Sequence, residues 1–191
     1  MNRRRLIENT GYEVVEWVRC VSPCHVSIDV SEHLPITSVD LEFKMKLYDT
    51  AATSEVIAKS PTAALQVYSN SGRLYNQAAW LYVGTSNVAN CTTNTTGTQR
   101  KLTVNGSSTT QNFTRNFANS DVVFYLFSEG NKTGNPSNDY FNFIDVKINN
   151  GYIGKYVFAR KIGDSEIVLY DTLSDKVYHN EGTGHFEEVT I

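Results

Sequence analysis

A sugar ring is held by two kinds of group: a flat aromatic face for its apolar side, and amide, carboxylate or guanidinium groups for its hydroxyls. Both kinds cluster in LQVYSNSGRLYNQAAWLYVG, residues 65–84. Tyr68, Tyr75, Trp80 and Tyr82 supply rings, and Asn70, Arg73 and Asn76 supply polar groups between them. Tyr75 stands in the polar run SGRLYNQ, read as a turn, and is the ring expected to be exposed. Trp80, inside the apolar AWLYV, is expected in the core. The candidate ligand-binding set is therefore Tyr75, Arg73, Asn76, Asn70 and Tyr68.

Hydrolysing a glycan asks for more. On β-sandwich glycanases an E-x-D-x-E strand carries a nucleophile and an acid, about 5 Å apart in retaining enzymes. That pattern is absent. The nearest carboxylates are Asp29/Glu32, Asp40/Glu42, Asp164/Glu166 and Glu187/Glu188. Asp40 and Glu42 share one strand face, but Lys44 and Lys46 continue that face, which reads as open to water. There is no nucleophile elbow for a serine mechanism. The expectation is a protein that is not an enzyme.

Metal chemistry is equally thin. His25, His33, His179 and His185 lack ligand spacing, although His179 and His185 flank the closing turn and could meet in space. The run GNKTGNPSNDY offers oxygens from Asn131, Asn135, Ser137, Asn138 and Asp139, but only one carboxylate, which is poor for calcium. No cofactor is expected. Cys20, Cys24 and Cys91 are odd in number and too few for a disulfide framework. C-x3-C-H lacks a fourth zinc ligand, so free thiols are the first reading and a local disulfide across the Val-Ser-Pro turn the second.

The elements that must carry these residues are strands. VDLEFKMKLYD alternates apolar and charged residues from Val39 to Leu47, a half-buried strand. LQVYS, AWLYVG and KLTVNG read as further strands, and the wholly apolar DVVFYLF as a central one covered on both faces. FNFIDVKI and YIGKYVFARKI flank Asn149-Asn150-Gly151, a hairpin signal. EIVLYD and KVYHN form a last pair. No run of helical period competes. The segments 88–99 and 128–140 read as long irregular loops, where binding residues usually sit on a rigid sandwich. Five N-x-[ST] sequons, at Asn90, Asn94, Asn105, Asn112 and Asn131, mark surface loops or edges. The fold class is all-β: one domain, residues 1–191, an antiparallel β-sandwich or barrel.

Composition narrows the partners. The chain has 191 residues, a net charge of -3 and 19% charged residues. Without a basic excess to neutralise phosphates, nucleic acid is not an expected partner. No apolar run approaches a membrane span, so membrane insertion is not expected either. Arg3-Arg4-Arg5 is followed by the polar LIENTGYEVVEW rather than a signal core, so synthesis and use without export is the expectation.

The ending IDVKINNGYIGKYVFARKIGDSEIVLYDTLSDKVYHNEGTGHF resembles the closing segment of concanavalin A-like, laminin-G-like jelly-roll domains. The matching residues are Asn150-Gly151, Leu169-Tyr170-Asp171, Val177-Tyr178, Asn180, Gly182-Thr183-Gly184 and Phe186. The opening LIENTG is similar to the family's opening, but YEVVEWVRC then departs from it. The resemblance implies a jelly roll whose two ends lie side by side, with Tyr170 and Phe186 buried, Asp171 capping its turn, and Gly182 and Gly184 giving the tail backbone freedom. Such domains abound in gut bacteria and their phages. The implied role is a non-enzymatic module of a virion, in a fibre, decoration or tail, that binds cell-surface carbohydrate. A structural virion protein that binds other proteins, a homo-oligomer included, is the alternative, and a glycanase the second. The implied location is the virion, or else the bacterial surface.

Overall fold

The computed structural model describes residues 7, 10–21, 23–49, 55–128 and 137–191. Two antiparallel sheets face each other. Across the large sheet the order is β11 (Ser107–Asn112), β10 (Gln99–Val104), β9 (Ala89–Thr96), β4 (Ser38–Lys46), β13 (Tyr140–Ile148), β14 (Gly151–Lys161), β15 (Ile167–Asp171) and β16 (Val177–Tyr178). β1 (Tyr12–Val14) joins it at β14, and β2 (Val18–Val21) joins at β13 and carries β17 (His185–Glu188). Across the small sheet the order is β3 (Val26–Asp29), β12 (Val123–Leu126), β5 (Glu55–Lys59), β6 (Gln66–Asn70), β7 (Arg73–Asn76) and β8 (Ala79–Tyr82).

Alternation decides what each strand buries. On β4, Val39, Leu41, Phe43 and Met45 point inward and are solvent-inaccessible, while Asp40, Glu42, Lys44 and Lys46 point out. The inner faces meet over Phe127, Phe141, Phe158 and Phe186, whose rings pack at centroid separations of 5.1–5.8 Å. Edge-to-face pairs of this kind add about 0.5–1.5 kcal/mol each beyond area burial. A second, smaller apolar cluster of Ile7, Val157, Ala159, Val168 and Tyr170 covers the outer face of β14 and β15.

The ends of the chain meet. His185 through Glu188 pair with Val21 through Val18, and the Val189 amide donates to the Trp17 carbonyl. Phe186 on β17 thereby drops its ring into the main core, and Tyr170 is buried as well. Asp171 caps its own turn, accepting from the Leu173 amide at 3.0 Å and the Ser174 hydroxyl at 2.6 Å. The tail glycine works differently from expectation. Gly182 is not among the left-handed residues; it is needed because a Cβ there would lie 1.9 Å from the Pro23 carbonyl oxygen.

Three other expectations change. The segment 88–99 is no irregular loop: β9 lies between β4 and β10, burying Ala89, Cys91, Thr93 and Thr95 on alternate positions. Its run of threonines is β-branched and fits a pleated surface. Asn90 and Asn94 accordingly sit in mid-sheet, while Asn105 occupies the β10–β11 turn and Asn112 an edge strand. Of the segment 128–140, residues 129–136, with Asn131 and Asn135, lie outside the described residues. The Asn149 hairpin forms, but its two left-handed residues are Asn149 and Asn150; Gly151 already begins β14, opposite Ile148. β12 is central, between β3 and β5, yet its outward residues Val123 and Tyr125 stay half-buried rather than covered. All three cysteines are free and buried.

Candidate functional site: an aromatic platform on the small sheet

β6, β7 and β8 form a meander joined by tight turns at Ser71-Gly72, both left-handed, and at Gln77, also left-handed. Two-residue connections keep three strands in register, so outward side chains line up as rungs. One rung is Tyr68, Tyr75 and Trp80; the next is Asn70, Arg73 and Tyr82. Inward positions between them, Val67, Leu74 and Ala79, are fully buried and anchor the hairpins to the core.

The first rung is stacked. Tyr68 and Tyr75 lie parallel, 4.7 Å between centroids and 2° apart in plane, and Tyr75 meets Trp80 at 6.4 Å. Burial raises the Tyr68 hydroxyl above its ordinary pKa, with Tyr75 adding to it. The Arg73 guanidinium lies over the Trp80 ring at 4.2 Å. Such a contact contributes about 0.5–1 kcal/mol at an exposed site and fixes both side chains. Arg73 makes no ion pair among the described residues, so its edge N–H groups are left to face solvent or a ligand. Trp80 is 45% exposed and Tyr82 69% exposed. The result is a rigid strip of ring surface, tyrosine hydroxyls and one guanidinium on the outside of the sandwich.

Four of the five expected residues therefore converge here: Tyr68, Tyr75, Arg73 and Asn70. Asn76 does not. It points inward and is fully buried, donating to the carbonyls of Asn94 and Lys101 and accepting from Thr95 Oγ1. Strand period explains the correction: SGRLYNQ is mostly strand, so Tyr75 and Asn76 must face opposite ways. The same period overturns the core placement of Trp80, because Ala79 takes the inward position. Trp80 and Tyr82, rather than the half-buried Tyr75, are the most exposed rings of the strip; alternation within AWLY, Ala79 and Leu81 against Trp80 and Tyr82, was the signal for them.

The other candidates separate. Among the calcium candidates, Asp139 is buried, accepting from Ser69 Oγ at 2.7 Å and from the Tyr48 amide at 3.0 Å, and the Asn138 amide donates to Glu55. Burial pushes the Asp139 carboxyl up to about 7, with Glu55 adding to the shift. His179 pairs with Glu166 at 2.8 Å, whereas His185 stands exposed on β17. His25 is buried between Ser27 and Ser128. No group of three metal-ligating side chains gathers among the described residues. Asp40 and Glu42 do share an outer face, but that face is hollowed rather than flat, and Asp40 accepts from Asn94 Nδ2 at 2.5 Å.

No family model matches the chain, and no curated protein matches it. Solved structures do. Domains LG4-5 of the mouse laminin alpha1 chain superpose with a TM-score of 0.52 at 10% identity, over 83% of this chain and 47% of that one. The LG1-3 region of the laminin alpha2 chain gives 0.50 at 6% identity, over 81% and 34%. The CBM40 of the Ruminococcus gnavus IT-sialidase, bound to alpha2,3 sialyllactose, gives 0.45 at 11% identity, over 73% and 94%. The chain thus spans about half the length of the first of these and a third of the second. At such identities the two laminin likenesses establish the fold alone.

Proposed function

The fold is a laminin-G-like jelly roll, and from that premise we propose that the chain is a non-catalytic binding module taking a glycan on the outer face of β6–β8. The observation that carries the reading is the two-rung strip itself, Tyr68–Tyr75–Trp80 beside Asn70–Arg73–Tyr82. Its rings are held by stacking before any ligand arrives, so little side-chain entropy is lost on binding. Trp80 and Tyr82 offer the apolar surface, and Arg73 donates to sugar hydroxyls or a sugar carboxylate. The role does not call for paired carboxylates, a cofactor or a metal; calcium in the 128–140 segment stays a minor proposal.

A glycan array with the parent protein and with Trp80→Ala and Tyr82→Ala tests it. Binding by the parent, weakened about tenfold or more by either change, which is 1.4 kcal/mol, supports the reading. Binding that both changes leave intact overturns it. Absence of binding across the array would instead favour docking of another protein, or of a second copy, on the same strip. The finer proposal is display on a virion, with the bacterial surface as the alternative. It is supported by the resemblance of the chain's ending to phage-borne jelly rolls. A mass-spectrometric inventory of purified particles checks it.

A further inference from the structure

The outer face of the large sheet, on the far side of the sandwich from the strip, carries a hollow of about 220 Å³. Register sets what lines it. One rung across five strands reads Lys101, Asn94, Asp40, Lys147 and Tyr152. The next reads Thr103, Thr92, Glu42, Asp145 and Lys155. A second hollow of about 340 Å³ abuts the first, sharing Glu42, Thr92 and Thr103 and running on to Asn90, Asn105 and Phe143. Together they make a trough along β4 and β9, with exposed Tyr152 near one end and half-buried Phe143 near the other.

We propose that this trough is a second ligand site, taking a neutral linear oligosaccharide. The hollow sets the carboxylates of Asp40, Glu42 and Asp145 among the ammoniums of Lys101 and Lys147, and Lys155 ends the second rung beside Asp145, so opposite charges nearly balance across the site. A polyanion or a polycation gains nothing net from such a set. A sugar hydroxyl gains from it, because it donates to a carboxylate and accepts from an ammonium at once. Acceptors and donors lie within one or two strand spacings of each other, near 4.8 Å apiece, so the successive hydroxyls of one sugar chain find both kinds of partner. The groups are also fixed in advance. Asn94 holds Asp40, and the Lys147 and Lys155 ammoniums lie 4.4 and 4.1 Å from the Tyr152 ring centre. Two abutting hollows call for a chain rather than a single ring. The strip on β6–β8 has no carboxylate in its rungs, so the two faces differ in chemistry, and the protein carries two distinct glycan sites back to back.

The test is titration of the full chain, by calorimetry and amide chemical shifts, with cellohexaose, xylohexaose, mannohexaose and laminarihexaose, and with hexagalacturonate as the acidic control. At least one neutral hexaose should bind and shift the Thr92, Asn94 and Lys101 amides. Glu42→Gln should weaken it about tenfold, and Thr92→Trp, an exposed position that fills the hollow, should abolish it with the melting temperature unchanged. Trp80→Ala should leave it as it was, which separates this site from the strip. The proposal is overturned if no neutral hexaose binds, if Trp80→Ala rather than Glu42→Gln removes the binding, or if hexagalacturonate shifts the same amides more tightly.

Discussion

Asn76 Oδ1 accepts a hydrogen bond from Thr95 Oγ1 at 3.0 Å, tying the small sheet to the large one through a buried amide. Asn76 Nδ2 completes the tie by donating to the carbonyls of Asn94 at 3.2 Å and Lys101 at 3.0 Å. On β7, Tyr75 looks outward to the aromatic strip while its neighbour Asn76 looks inward; on β9 and β10, Asn94 and Lys101 turn their side chains to the trough. One side chain thus spans the space between the two candidate sites.

Replacing Asn76 with alanine should strand the Thr95 hydroxyl in the interior, while the Asn94 and Lys101 carbonyls lose their second donor but keep the β9–β10 ladder. We expect a loss of roughly 1–3 kcal/mol in urea unfolding, the cost of one buried polar group left without its partner. A midpoint equal to the parent's would mean that the amide is replaceable by water.

The hairpin after β13 separates two kinds of position. Asn150, with φ 68°, needs the left-handed region, so Asn150→Val should cost about 1–2 kcal/mol. Asn150→Gly should cost nothing or stabilise slightly. Gly151 has extended backbone, and a Cβ there would meet only the Ile148 carbonyl oxygen, at 3.5 Å, so Gly151→Val should stay within about 0.5 kcal/mol. Thermal melts of the three variants should show that ranking; a large loss in Gly151→Val alone would displace the turn by one residue.

Asp139 makes stability depend on pH. Its carboxyl is raised from 3.8 to about 7, chiefly by burial, so between those values the folded chain holds a proton that the unfolded chain has released. The contribution is complete below about pH 4, and is lost as pH rises toward about 7. A shift of that size corresponds to roughly 4 kcal/mol at most. Asp139→Asn should flatten the decline when denaturant midpoints are measured from pH 4 to 8. An unchanged slope would assign it elsewhere, with Glu55, also raised by burial, as the next group to replace.

Gly182 admits no side chain. Gly182→Ala would drive a methyl into the Pro23 carbonyl, against which the Gly184 amide also bonds at 3.1 Å. The tail must shift, and overpacking of this kind costs about 1–3 kcal/mol. Amide exchange should quicken in β17 and β2 before it does in β4. Uniform behaviour across the three strands would show that the tail is not a separable unit.

Much of this protein can be read along the chain because strand period is a local property. The alternation Val39 to Leu47 dictates that Asp40 and Glu42 share a face, and Asn-Asn-Gly dictates a reversal near 150. The ending from Leu169 to Phe186 carries enough spaced residues to imply a jelly roll with its ends together. What lies across from each residue is not local. That Tyr68 stacks on Tyr75 and Trp80 follows from two tight turns acting together, and reading the strand within SGRLYNQ as a turn is what sent Asn76 to the wrong side. The segment 88–99 was opaque because asparagine and threonine suit a loop as well as a strand until Cys91 and Thr93 find a core to face. The trough was invisible for the same reason: Asp145 and Glu42 stand about a hundred positions apart in the chain, and only the pairing of β13 with β4 puts the two carboxylates side by side, between Thr92 and Lys155.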